Sequence, residues 1–264
     1  MHMTDALLSP AVGLTMCAVS ITAITYAVKK DGSCEKKVPM MGVMGAFVFA
    51  AQMLNFTIPA TGSSGHVTGG ILLAAMIGAF PALLSMSAVL IIQCLFFADG
   101  GLLALGCNIF NIGVVPCLIV YPLIFKPFVK KSITPGRITV ASIFAVVIGL
   151  QLGAFCVVLE TMLSGMAGFP FSAFVALMQP IHLAIGFVEG AVTAAILCFV
   201  YKMRPEIMEC VIDRNAVKSS IHRKVIIAFA VIALFVGGVL SQFASSNPDG
   251  LEWAIQKVAG DNEE

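Results

Sequence analysis

The sequence predicts an all-α polytopic membrane protein of about eight transmembrane helices, with both ends of the chain on the outer face. Three observations carry that prediction. Of 264 residues, 59% are hydrophobic and only 11% charged, with a mean hydropathy of +1.01, whereas a soluble domain carries about 25% charged residues. Apolar runs of about the ~20 residues that cross a bilayer recur along the whole chain. Lys and Arg are confined to alternate loops, the pattern of the positive-inside rule.

The first span is expected near 8–28. Residues 1–28 hold no Lys or Arg, and Asp5 is acidic. The positively charged start of a cleaved signal peptide is therefore missing, and the amino terminus is expected to stay on the mature protein. Lys29, Lys30, Lys36 and Lys37 follow, and a second span near 39–56 returns outward. The apolar stretch 69–97 is too long for one helix and contains Pro81, which removes a helix hydrogen bond. It reads as two shorter helices, near 69–80 and 81–97. Spans near 102–125, 138–163, 173–201 and 224–243 complete the set. Lys126, Lys130, Lys131 and Arg137 fall between the fifth and sixth spans, and Lys202, Arg204, Arg214, Lys218, Arg223 and Lys224 between the seventh and eighth. The three loops assigned to the cytoplasm hold 14 of the 15 basic residues, and the opposite loops 57–68, 98–101 and 164–171 hold none.

The eight cysteines form no C-x-x-C pair and read as small apolar residues of the spans, without a disulfide framework. The net charge of +1 carries no information about partners, and no nucleic acid is expected among them. There is no G-x-x-x-x-G-K-[ST] loop, no H-E-x-x-H and no nucleophile elbow, so neither an ATPase nor a hydrolase is expected in this chain. A transporter of this design needs an ion gradient or a separate ATPase.

The unusual residues meet on the outer face. The chain opens "MHMTD", placing one of only four histidines at position 2. The amine of Met1, the amide nitrogen of His2 and an imidazole nitrogen of His2 can form two fused chelate rings around one metal ion. That occupies three corners of a square plane, and a distant imidazole such as His66 would close it. Tetragonal nitrogen coordination suits Ni(II) and Cu(II), and binding requires a deprotonated amine and neutral imidazoles. His66 lies in "NFTIPATGSSGHVTGG", residues 55–70, a Gly- and hydroxyl-rich loop that lets backbone approach a ligand closely. The same loop also reads as an ordinary external turn.

Asp99, in "FFADGG", suits a tight turn or a carboxylate that orients an imidazole from behind. Asp5 and Asn55, near the same face, are candidates for the same supporting role. His182 and Glu189 fall inside the seventh span. A carboxylate there is costly and marks function by default, though either residue also reads as a packing or helix-joining group. Gln93, Asn108 and Asn111 suit hydrogen bonds between helices.

The start "MH" and the runs "QMLNFTIPATGSSGHVTGG", "FFADGGLLALGCNIFNIG" and "HLAIGFVEGAVTAAI" together resemble the CbiM/NikM family over about residues 1–202. Members are the membrane-embedded substrate-binding components of energy-coupling factor transporters for cobalt and nickel. The resemblance implies a metal held by Met1, His2 and His66, with Co(II) or Ni(II) as the transported substrate and no resident cofactor. It further implies a transmembrane coupling subunit, cytoplasmic ATPase subunits and a prokaryotic cytoplasmic membrane, with cobalt supply for cobalamin synthesis the preferred role. The segment "SQFASSNPDGLEWAIQKVAG", residues 241–260, resembles the PDGLE segment of small accessory components. The implied organisation is a metal-binding membrane domain at 1–202, a basic cytoplasmic linker at 203–223, and a last span with an outer tail at 224–264. From the residues alone, an ion-gradient-driven transporter using His182 and Glu189 as a proton relay, or an assembly subunit, remain as rivals.

Overall fold

A computed structural model describes residues 2–30, 34–212 and 223–260. Met1, Arg214 and Lys218, named above, lie outside the described residues. The chain is built from helices, with one small hairpin at its outer end. Helix α1 (Pro10–Lys30) is followed by α2 (Cys34–Gln52), the strands β1 (Phe56–Ile58) and β2 (Ser63–Gly65), α3 (Gly70–Ile77) and α4 (Ala79–Phe97). A continuous helix over Leu105–Lys130 then starts as α5 (Leu105–Asn108), is π-wound from Ile109 to Phe125, and ends as α6 (Lys126–Lys130). Pro116 and Pro122 lie in the π-wound part, where each removes a donor and crowds the carbonyl four residues back. Then follow α7 (Pro135–Ser164), α8 (Phe171–Met203), α9 (Pro205–Ile212), α10 (Arg223–Gly238) and α11 (Gly250–Gly260).

Among the described residues, six helices are long and apolar enough to cross a membrane, and Val38–Gln52 is a shorter apolar helix. The expected count of about eight spans, two of them short, is not reached at full length among the described residues. Helix α3 has eight residues, about 12 Å of rise, too short for a hydrocarbon core of about 30 Å. The break falls at Gly78, with φ of 94°, not at Pro81. Pro81 sits in the first turn of α4, where its missing N–H costs nothing. Every residue of α3 is buried, so protein and not lipid surrounds the irregular backbone on either side of it, the condition under which such backbone is tolerated at membrane depth.

Packing follows the small residues. Helices α7 and α8 form the most extensive pair. A Cβ at Gly186 would come 3.2 Å from the Val147 Cα, and one at Gly190 would come 2.8 Å from the Ile143 Cα, so glycine sets the approach of the two backbones. Helix α10 lies along α2, with Phe47 and Phe229 edge to face at 5.2 Å. Large apolar side chains such as Leu14, Phe96, Leu123 and Phe199 point outward and are exposed, as a lipid-facing surface requires. Of the stretch 203–223, α9 folds against α3 and α8 through the buried Ile207, Met208 and Ile212. Residues 213–222 lie outside the described residues.

Candidate metal site

Four segments meet at the outer end: the amino-terminal residues, the hairpin loop, the turn after α4 and the tail after α10. The amino-terminal segment is held by backbone hydrogen bonds one residue beyond His2. Met3 is fully buried. Its N–H donates to Asn108 Oδ1 at 2.8 Å, and its carbonyl accepts from Asn108 Nδ2 at 3.1 Å and from the Gly101 N–H at 3.2 Å. Asp5 Oδ1 accepts the Ala104 N–H at 3.0 Å. Position 101 must be glycine, because a Cβ there would overlap the Asp5 carboxylate. Asp5 therefore anchors the segment.

This hook delivers His2 to Asp99. The carboxylate lies 3.2 Å from His2 Nδ1 and accepts from it, whereas His2 Nε2 is buried without a partner among the described residues. The His2 and His66 rings lie parallel within 4°, their centroids 5.3 Å apart. The structure thus brings together two of the three histidine and amine positions expected at the site.

The His66 loop is fixed from both sides. On the outer side, β1 and β2 pair antiparallel with Phe56 opposite Gly65. On the inner side, Glu189 Oε2 accepts the Thr68 N–H at 2.9 Å, and its Oε1 accepts the Thr68 hydroxyl at 2.8 Å and the Gly69 N–H at 2.9 Å. Gln52 Nε2 donates to the Thr68 carbonyl at 2.8 Å, and Gln52 Oε1 accepts from Gln93 Nε2 at 2.7 Å. Glu189 is thus a fully engaged anchor of the loop that carries His66.

The tail closes the outer side. The Ser64 N–H donates to the Pro248 carbonyl at 2.8 Å, Ser64 Oγ to the Asn247 carbonyl at 2.8 Å, and Trp253 Nε1 to the Thr61 carbonyl at 2.9 Å. Asn55 meets the tail through its carbonyl, which accepts the Ser245 N–H at 2.8 Å, and it reaches neither histidine among the described contacts. The P-D-G-L-E run has a physical reading at each position. The Pro248 carbonyl bonds the loop. Asp249 Oδ1 caps α11 by accepting the Leu251 and Glu252 N–H groups at 2.9 Å each, and Glu252 reaches back to the Asp249 N–H at 3.3 Å, a capping box. Leu251 is buried, and Gly250 lies against His182 and Ile185, with no room for a Cβ unless they shift.

Electrostatics match this geometry. Burial, and then the positive charges of the amino terminus and of His2, push the His66 imidazole down to about 3, so it stays neutral near pH 7. Burial would raise the Asp99 carboxyl, but the hydrogen bond and charge of His2 outweigh it and hold the group below its usual range. Burial likewise opposes ionisation of Asp249, yet the amino-terminal charge outweighs it and holds that carboxyl far below the usual range.

Among the described residues, no three His, Cys, Asp or Glu side chains converge closely enough to hold a metal ion. Tetragonal coordination here needs backbone nitrogen beside the two imidazoles. His182 lies inside the bundle with Nδ1 2.8 Å from the Met178 carbonyl. Sequence reasoning missed three participants. Asp249 was readable as the first residue of a D-x-x-E capping box, Glu160 as a carboxylate within a span, and Ser64 carried no signal. Glu160 is buried and accepts from Asn111 Nδ2 at 2.7 Å.

Residues 2–207 match the family described as cobalt uptake substrate-specific transmembrane region, and residues 223–264 match the PDGLE domain. The chain is 32% identical over 209 residues to an Archaeoglobus fulgidus protein named as a fused nickel transport protein, NikMN, covering 79% of this chain and 68% of that one. It is 36% identical over 212 residues to a protein of Haloquadratum walsbyi named as a metal transport protein, covering 79% and 93%. Its fold is similar to the crystal structure of a truncated transition metal transporter, with a TM-score of 0.67 and 28% identity over 77% of this chain and 99% of that one. The chain is therefore a multi-pass membrane protein that belongs to the cobalt uptake substrate-specific transmembrane (CbiM) family, with a PDGLE domain behind the family's core.

Proposed function

We propose that this protein captures Co(II) or Ni(II) at its outer face and passes it inward as the substrate-binding component of an ATP-driven energy-coupling factor transporter. The ligands in this reading are the Met1 amine, the amide and imidazole nitrogens of His2, and the His66 imidazole. The observation that carries it is the parallel approach of the His2 and His66 rings at 5.3 Å, beside an amino-terminal segment locked at residue 3. The chelate geometry favours His2 Nδ1, which closes a six-membered ring with its own amide nitrogen. The metal then replaces the hydrogen bond to Asp99, and the freed carboxylate offsets part of the ion's charge. A neutral His66 supports capture, since imidazole must give up no proton to bind.

The chain works, in this reading, in a prokaryotic cytoplasmic membrane with a transmembrane coupling subunit and cytoplasmic ATPases. Its metal-binding part is residues 1–202, joined by a basic cytoplasmic linker at 203–223 to the last span and outer tail at 224–264. The family description names cobalt, and several relatives are named for nickel. Cobalt for cobalamin synthesis is the role preferred here, with nickel supply the alternative. The proton-relay rival is disfavoured because three donors already engage Glu189.

The test is uptake of radiolabelled Ni(II) or Co(II) by cells that lack their own uptake systems and express the chain with its coupling and ATPase subunits. Uptake is expected to stop on ATP depletion and in His2→Ala and His66→Ala variants. Uptake by this chain alone, abolished by collapsing the proton gradient and indifferent to both histidines, overturns the reading.

A further inference from the structure

The His66 loop stands on a short helix. Glu189 binds the Thr68 and Gly69 N–H groups where the loop enters α3. From there α3 runs Gly70–Ile77, about 12 Å, and every one of its residues is buried. Its side chains are apolar, without a nitrogen or oxygen to ligate an ion. A close-packed helix of this kind bars an ion from the space behind the loop until the helix itself moves. Both its ends are glycines with positive φ, 80° at Gly69 and 94° at Gly78. Glycine adopts such angles freely, and a hinge is a residue at an element's end that absorbs a change of dihedral. Helix α3 is thus a rigid rod between two points of freedom.

The neighbours of the rod differ in kind. Helices α2, α4, α7, α8 and the Leu105–Lys130 helix, long and apolar, pack along it. Helix α9 packs on it too, yet α9 has eight residues, too few to be anchored across a bilayer. One face of α9 buries Ile207, Met208 and Ile212, and Glu209 on the other is exposed. Helix α8 continues for roughly 20 Å past Glu189 to its end at Met203. There Arg204, with φ of −152° and ψ of 72°, turns the chain back so that α9 meets α3. Helix α9 therefore lies at the end of the bundle away from the hairpin, in the stretch assigned to the cytoplasm.

We infer that α9 is the inner catch of the metal site: docked, it holds α3 beneath the His66 loop, and drawn away from the cytoplasmic side it lets α3 swing on Gly69 and Gly78 and release the ion. The inference rests on the capture reading above and extends it from binding to release. Movement of α3 pulls the Gly69 N–H from Glu189 Oε1, and Thr68 and His66 follow, which parts the His66 ring from that of His2. The catch is light, since three buried side chains fasten it, so contacts from a cytoplasmic partner subunit suffice to displace it.

The experiment uses the purified full chain with a native amino terminus and a variant carrying both Ile207→Ala and Met208→Ala. Phe229→Ala, which removes a comparable apolar contact where α10 meets Phe47, is the control. Ni(II) affinity is read by titration, its release by adding a chelator in excess, and the state of α9 by amide exchange across 205–212. In the α9 variant, exchange there is expected to quicken and Ni(II) to leave about tenfold faster, with affinity falling to match, an effect within the usual range of coupling between sites. Coupling is reciprocal, so Ni(II) should also slow exchange across 205–212 in the unmodified chain, a measurement that needs no variant to fold. Unchanged release in a variant whose α9 exchanges faster overturns the inference, as does equal acceleration in Phe229→Ala. So does exchange across 205–212 that Ni(II) leaves unaltered. Failure of the unmodified chain to bind Ni(II) at all would strike the capture reading instead, so the two failures are distinguishable.

Discussion

Two short segments bring the facing histidines together, and they are held by different means. At Met3 the amino-terminal hook is gripped by neutral amides, Asn108 on both sides and the Gly101 N–H on its carbonyl, and two residues further on by the Asp5 carboxylate, which accepts the Ala104 N–H. Its histidine rests on a half-exposed carboxylate, Asp99. The His66 loop is gripped by a buried carboxylate from within and by the tail from without. The hook thus offers an exchangeable contact that an arriving ion can replace, and the loop offers a fixed nitrogen. A capture site gains from that asymmetry, because one half is organised in advance and the other gives way only to the ligand.

The largest effect expected from breaking either half is on binding. His2→Ala and His66→Ala should each weaken Ni(II) binding by at least about 100-fold, since even supporting residues around a metal cost 10–100-fold; isothermal titration of the purified chain measures it. Next come the anchors. Glu189→Ala leaves the buried Thr68 and Gly69 N–H groups unpaired and should cost about 3 kcal/mol, whereas Asn108→Ala should cost about 2 kcal/mol. Thermal unfolding in detergent compares them, and equal costs would erase the contrast between the charged and neutral grips.

The loop should carry a pH signature. The folded His66 titrates at about 3 against an ordinary 6.5, so below pH 6.5 the unfolded state binds a proton that the folded state refuses. Stability should therefore fall as pH drops from 6.5, by about 1.4 kcal/mol per pH unit until about pH 4.5, where carboxylates begin to contribute. His66→Gln should show a shallower slope than the unmodified chain in unfolding measured across the same range. The smallest effect is at the tail. Asp249→Ala removes the cap of α11 and should cost about 1 kcal/mol, seen as faster amide exchange across 250–260.

The membrane class and the closeness of His2 to His66 were legible because they follow from composition, charge segregation and chelate chemistry, which act locally. What escaped depends on partners far along the chain. Glu189 stood out as a costly carboxylate, but its donors at Thr68 and Gly69 are 121 and 120 residues away, and no local pattern names them. Helix α3 was read as a span because apolar residues buried by protein look the same as residues facing lipid. The D-x-x-E box announced a helix start, but its docking on Ser64, 184 residues away, could be seen only in three dimensions.

The central claim is that the chain's own amino terminus is a ligand. The direct test titrates Ni(II) and Co(II) into purified protein with a native terminus, beside protein whose amino group is acetylated. The account predicts one tight equivalent in the first and none in the second. Equal tight binding in both would contradict it and place the metal elsewhere.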